Sequence, residues 1–142
     1  MFVDDRNESR AFFLRVWRRM HGGEPLEPLE RIIAEVIAAH PEYHAILAAP
    51  EAAREAEFDG SDGRSNPFLH MGLHIALIEQ LQTDRPPGIR AAYQALVTAG
   101  GEAHTVEHRI IDCLARELWQ ASQAGRAPDA MAYLADVRQL LR

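Results

Sequence analysis

Six of the seven histidines form three pairs in which three residues separate the two members. The pairs are His40/His44, His70/His74 and His104/His108. At this histidine content, about a third of one such pair is expected by chance. On an α-helix, positions i and i+4 lie on one face, so both imidazoles of a pair can reach a common point. Because neutral imidazole binds zinc, iron, copper and nickel, the spacing predicts a transition-metal site.

The predicted ligands come first from the second and third pairs, which lie in uninterrupted helical segments. The first pair is weaker, because Pro41 disfavours helix at His40 and makes it a junction residue. Asp112 continues the one-turn ladder of the third pair, and Glu107 lies beside it. Glu42 and Tyr43 are available as outer-shell partners. The full predicted ligand set is His70, His74, His104, His108, His40, His44, Glu107 and Asp112, and the predicted metal is iron or zinc.

A second interpretation needs no metal. His70 and His74 share their helix face with Leu77 and Leu81, and a polar group on a buried face needs a partner. The histidines would then form a buried hydrogen-bond network with carboxylates in a non-catalytic interaction or assembly protein, with pH-dependent stability or pairing. A third interpretation is a metal-dependent hydrolase or a thiol-type detoxification enzyme. Neither a Glu-x-x-His nor a His-Glu-x-x-His motif is present, so no catalytic residue is assigned.

The elements that must position these residues are helices. Apolar residues recur with helical periodicity along nearly the whole chain, and no stretch alternates in the manner of a strand. We therefore predict an all-α fold, as a single-domain bundle of about five to seven helices over residues 1–142. Residues 50–65 are predicted to be a loop-rich connector within it, with one more short helix from Pro50 to Phe58 as an alternative and a loop over residues 59–63.

Four arginines flank the apolar stripe of the first helix: Arg10, Arg15, Arg18 and Arg19. They are interpreted as a solvated face, with an anion-binding patch as the alternative. Trp17 and Trp119 stand at helical core spacings and are predicted to be core residues. Cys113 is likewise predicted to pack in the core, and His21 to cap a helix C-terminus.

Composition excludes several classes of protein. The net charge of −6 argues against a nucleic-acid partner, because binding to phosphates needs a basic face. No apolar stretch approaches the roughly 18 residues that cross a bilayer, and the first residues do not resemble a signal peptide. With a single cysteine and no disulfide, the expectation is a cytoplasmic protein without membrane contact. A homo-oligomer and a small-molecule substrate are left open.

Five strings carry a family resemblance. They are His40-Pro41-Glu42-Tyr43-His44, Asn66-Pro67-Phe68-Leu69-His70, Glu79-Gln80-Leu81, Arg85-Pro86-Pro87-Gly88-Ile89-Arg90 and Asp112-Cys113-Leu114. With these strings the chain resembles the bacterial domain-of-unknown-function 1841 family, from the helix of Phe12 and Phe13 to Trp119. The resemblance implies a small helical bacterial protein. It implies no activity, because that family has none assigned.

Overall fold

The computed structural model describes residues 6–57 and 66–141, and within these ranges the chain forms helices and no strand. The prediction of an all-α fold is therefore confirmed. The α-helices are α1 (Arg6–His21), α2 (Pro28–Ala38), α3 (His44–Leu47), α4 (Pro50–Glu55), α5 (Pro67–Thr83), α6 (Ile89–Thr98), α7 (Ala103–Ala124) and α8 (Ala130–Gln139). A short 3₁₀ helix, Pro41–Tyr43, precedes α3.

The eight α-helices of the described ranges exceed the predicted five to seven. The additional helix is α4 in the predicted connector, and Pro50 occupies its first helical position, as Pro41 does in the 3₁₀ helix. A proline at this position starts a new helix, because its ring clashes with a preceding helical turn. The segment after α2 is therefore divided into a 3₁₀ turn and two short helices.

Local chemistry explains most of the helix ends. The side-chain oxygen of Asn66 accepts hydrogen bonds from the backbone N–H groups of Phe68 and Leu69, at 3.1 and 3.2 Å. Asp129 accepts from two backbone N–H groups in the same way at the start of α8. Such caps satisfy N–H groups that the first helical turn leaves without a carbonyl. Gly125 ends α7 in the left-handed conformation, with a φ of 66°.

The chain divides into two compact units, Met1–Ile75 and Ala76–Arg142. In the first, α1 packs against α2, α3 and α4. Its buried apolar residues are Phe13, Leu14, Val16, Ile33, Val36, Ile37, Leu47, Ala53, Phe68, Met71, Leu73 and Ile75. In the second, α6, α7 and α8 pack against one another. The prediction of one single domain stays a prediction.

The predicted connector is partly helical. Its first residues form α4, Pro50–Glu55. Residues 58–65, which include the predicted loop over 59–63, lie outside the described residues. Among the helices that the structure describes, none combines the length and the apolar character that a membrane span requires.

The interpretation of the α1 arginines as a solvated face is wrong for Arg10 and incomplete for Arg19. Arg10 is only 3% exposed. Its Nη1 donates to the carbonyl oxygens of Ala53 and Ala56 at 2.9 and 2.6 Å, where α4 ends. Arg19 donates to the buried carboxylate of Glu30 at 2.7 Å. Helical periodicity gave no sign of these contacts, because both depend on neighbouring helices.

The predictions that Cys113 and Trp119 lie in the core have opposite outcomes. Cys113 is buried, and its burial raises the pKa of the thiol, as expected for a residue that packs in the core. Trp119 is 47% exposed, so its assignment to the core is wrong. Its position on α7 matches a helical core spacing, but the packing of the described helices leaves its indole ring in contact with solvent.

Glu117 provides a pH-dependent contact within the second unit. Its buried carboxylate accepts hydrogen bonds from Arg126 Nη1 and from the backbone N–H of Asp129, both at 2.7 Å. The Arg126 hydrogen bond first, and the Asp129 hydrogen bond second, lower the pKa of Glu117. A lowered folded-state pKa gives stability that is present above the unfolded-state pKa and lost as pH falls through the folded-state value.

We therefore expect Glu117→Gln to lower the urea midpoint of unfolding at neutral pH, because the variant cannot form the ion pair. The difference from the wild-type protein should shrink as pH falls below the ordinary glutamate pKa of about 4.3. Urea unfolding at several pH values measures both effects. Glu79→Gln is the control, since Glu79 is exposed on α5. A difference that stays constant down to acidic pH would contradict the assignment.

Candidate metal centre

His40 lies at the junction between α2 and the 3₁₀ helix, as predicted. It is the residue before Pro41 and has φ −126° and ψ 67°, outside the helical region. Its backbone N–H donates to Ile37 and its carbonyl accepts from Tyr43, both at 3.0 Å. The chain therefore turns at His40 while the backbone hydrogen bonding continues. The proline that weakened the helical pairing of His40 with His44 is what creates this turn.

The ring of His40 is held in one orientation. The side chain is 1% exposed, and its Nδ1–H donates to the carbonyl oxygen of Val36 at 2.7 Å. A neutral imidazole with its proton on Nδ1 carries its lone pair on Nε2. Hydrogen bonding of one ring N–H to a backbone carbonyl is how proteins fix the tautomer of a metal-ligating histidine. Nε2 is therefore the ring nitrogen of His40 that could bind a metal ion.

His70 and His74 lie one turn apart on α5, as their spacing predicted. Both are buried, with 6% and 5% of their surface exposed. Their Nε2 atoms are 3.1 Å apart, so that one ring N–H donates to the other ring. Two nitrogens bound to one tetrahedral zinc at its usual bond length lie about 3.3 Å apart. The observed separation thus suits either a shared proton or a shared metal ion.

The rings of His40, His70 and His74 form one cluster within the first unit. The centroid of His40 is 5.1 Å from that of His70 and 4.5 Å from that of His74, and the last two are 4.7 Å apart. A ring nitrogen from each lies within 4.8 Å of a ring nitrogen of the other two. His40 thus meets a pair of imidazoles that lies 30 or more positions away in sequence. We call these three residues the histidine cluster.

Tyr43 forms one wall of the histidine cluster. Its ring stacks on His40, with centroids 5.3 Å apart and an angle of 4° between the planes, and lies 6.1 Å from His70. Burial, and then the carboxylate of Glu42, raise the pKa of Tyr43, so its phenol stays neutral at neutral pH. Of the two predicted outer-shell partners, Tyr43 contacts the cluster, whereas Glu42 is exposed.

His44 points elsewhere within the same unit. Its Nε2–H donates to the carbonyl oxygen of Ile37 at 2.8 Å, and its ring lies 4.9 Å from Trp17. The structure therefore separates the members of the first pair. His40 joins His70 and His74, and His44 packs on an indole ring of α1.

The third pair belongs to α7, in the second unit. The rings of His104 and His108 are 4.2 Å apart at a steep angle, as expected for positions i and i+4. His104 and Asp112 are exposed, and His108 and Glu107 are half-buried. The four residues lie between positions 104 and 112 of this helix. Their role as metal ligands stays a prediction.

The sequence missed one partner that matters for the histidine cluster, the carbonyl of Val36. The sequence contained a signal for this contact, because Val36 lies four residues before His40 and its carbonyl falls at the C-terminal end of α2. The last carbonyls of a helix have no helical N–H partner and are open to a side-chain donor. His21, predicted as a cap, uses the same geometry and donates from Nδ1 to the carbonyl of Trp17 at 2.9 Å.

Comparison with known proteins gives one relationship. A sequence model of the family described as Domain of unknown function (DUF1841) matches residues 5–139. No curated protein and no solved structure matches the chain. The family description names no activity or ligand, so the chemistry must be argued from the residues.

Proposed function

The chain belongs to the DUF1841 family, and from its histidine cluster we propose that it binds a transition-metal ion, with iron and zinc as the candidates. The observation that carries this proposal is the convergence of His40, His70 and His74 at a buried position, with ring nitrogens close to one another. Imidazole is the side chain that suits these metals best at neutral pH.

The protonation states support the proposal. Because its Nδ1 proton is committed to Val36, neutral His40 directs a lone pair from Nε2. His70 and His74 bring their Nε2 atoms to 3.1 Å, and at most one of these atoms needs to carry a proton for the hydrogen bond between them. His40, His70 and His74 would hold a metal ion through these three nitrogens, with the proton of the His70/His74 contact carried on Nδ1 of its ring instead. Metal ligation requires deprotonated nitrogens, so such a site is filled at neutral pH and emptied by acid.

Three imidazoles leave a tetrahedral metal with one further position. His104, His108, Glu107 and Asp112 remain proposed as further ligands on the strength of the sequence, whereas the Nε2–H of His44 is committed to the carbonyl of Ile37. When bound, a metal with an open position acts as a Lewis acid or lowers the pKa of a bound water. The protein itself would supply fixed imidazole orientations and a dry surrounding, and the neutral Tyr43 ring would hold His40 in place.

The second candidate function is a non-catalytic interaction or assembly protein with a buried hydrogen-bond network. The hydrogen bond between His70 and His74 favours it, because that contact pairs the Nε2 atoms of the two rings without any metal. In such a network the charge of the imidazoles changes on acidification, which alters stability or pairing. Retention of metal separates the two candidates.

Elemental analysis of the untagged protein tests the proposal. After exposure to iron or zinc and removal of the excess, we expect about one metal ion per chain at neutral pH and release on acidification. Anomalous scattering across the iron and zinc edges identifies the element and its position. Less than about a tenth of an ion per chain after loading with either metal would reject metal binding and favour the hydrogen-bond network.

A further inference from the structure

The first unit carries a groove whose lining residues do not include the three residues of the histidine cluster. It has a volume of about 530 Å³ and is lined by α1 on one side and by α3, α4 and the residues that join them on the other. Sites for small organic molecules occupy roughly 300–1,000 Å³. The groove therefore has the size of a site for one small ligand.

The base of the groove is apolar. Leu14 and Leu47, which line it, are almost fully buried. Ala48 and Pro50 add further apolar surface. An apolar base favours a ligand with a hydrocarbon portion, because removal of that portion from water is worth about 25 cal/mol per Å².

The sides of the groove are cationic. Arg15, Arg18 and Arg54 line it together with His21, and the described lining residues include no carboxylate. The Nε of Arg15 lies 4.0 Å from a carboxylate oxygen of Glu30. Arg19 donates to that same oxygen at 2.7 Å, so Glu30 pairs mainly with Arg19. Within the described part of the chain, Arg18 and Arg54 form no salt bridge. Three arginine side chains around one concavity attract an anion, even though the whole chain carries a net charge of −6.

Trp17 supplies an aromatic wall. Its ring lies 3.9 Å from that of His21, and both residues line the groove. The Nδ1–H of His21 is committed to the carbonyl of Trp17, so His21 has its Nε2 for a ligand. Guanidinium groups recognise carboxylates and phosphates through paired hydrogen bonds.

We propose that this groove binds an amphipathic organic anion, with a carboxylate or phosphate head held by Arg18 and Arg54 and an apolar tail on Leu14 and Leu47. The inference does not depend on the metal site. The proposal agrees with the alternative interpretation of the α1 arginines as an anion-binding patch, except that Arg54 of α4 takes the place of the buried Arg10.

Fluorescence of Trp17 tests the proposal. Trp17 and Trp119 are the two tryptophans of the chain, so Trp119→Phe leaves Trp17 as the only indole. The probes are octanoate, octyl phosphate and neutral octanol, all below their micelle concentrations. We expect a saturable change with at least one anion and a much weaker one with octanol. A preference between the two anions identifies the head group as a carboxylate or a phosphate.

The double variant Arg18→Ala/Arg54→Ala should weaken anion binding at least about tenfold, because it removes two charge-assisted contacts. The control is Arg31→Ala, which removes an exposed arginine of α2 outside the groove lining. Calorimetric titration of the unaltered chain provides a second measurement, and metal content should be the same in all variants. Binding of octanol as strong as that of the anions, an unchanged affinity of the double variant, or no saturable signal with either anion would overturn the proposal.

Discussion

Replacement of His74 by alanine is expected to reduce the metal content from about one ion per chain to less than about a tenth. His74 lies at the centre of the histidine cluster, 4.5 Å from His40 and 4.7 Å from His70 between ring centroids. Loss of an outer-shell partner lowers metal affinity by about 10–100-fold. Loss of a ligand nitrogen should lower it by more than about a hundredfold, since the metal then loses a bond and not only an orienting contact.

Competition with a chromophoric chelator measures this affinity, and elemental analysis measures the stoichiometry. His21→Ala is the matched control, because His21 is exposed at the end of α1 and its ring nitrogen donates to its own helix. It should retain the metal. His74→Gln provides a variant of similar size that keeps a polar side chain at the buried position. Full metal content in both His74 variants would contradict the assignment of the cluster as the metal centre.

Replacement of Arg10 by methionine is expected to lower the free energy of unfolding by about 3 kcal/mol. The Arg10 guanidinium is buried and donates to the carbonyl oxygens of Ala53, Arg54 and Ala56, at 2.9, 3.3 and 2.6 Å. It also lies over the ring of Phe68, 5.0 Å from its centroid. Hydrogen bonds to a charged group contribute about 1.5–3 kcal/mol to stability. Buried carbonyl oxygens that lose their donor lower the stability further. Methionine fills similar space but donates nothing.

Urea unfolding followed by circular dichroism measures the change. Arg18→Met is the matched control on the same helix, because Arg18 is exposed and forms no ion pair with a described residue. A surface substitution of this kind changes stability by about 0.5 kcal/mol or less. Equal stabilities of the Arg10 and Arg18 variants would show that the contacts of Arg10 with the end of α4 are not stabilising.

Local rules were enough to place much of this fold from the sequence. Asn66 caps the start of α5 before Pro67, and Gly125 ends α7 in the left-handed conformation. Capping and proline geometry involve residues within one helical turn, so the sequence contains the whole interaction. The same holds for the closeness of His70 to His74 and of His104 to His108, which follows from the pitch of an α-helix.

Contacts between distant segments could not be predicted in this way. The sequence ranked His40 below the other histidines because of Pro41, yet His40 joins His70 and His74, and its former partner His44 packs on Trp17. Side-chain spacing fixes which residues share a face, but it does not say which face meets another helix. That choice depends on the packing of the whole unit.

The sequence by itself determined that the chain is helical and that imidazoles come in pairs one turn apart. Only the tertiary structure decided that His40 meets His70 and His74, that Arg10 is buried at the end of α4, and that Trp119 faces solvent. The physical reason is the distance along the sequence over which each interaction acts. Helix formation and capping act over about four residues, whereas burial and convergence of side chains depend on segments that the chain brings together from 30 or more positions away.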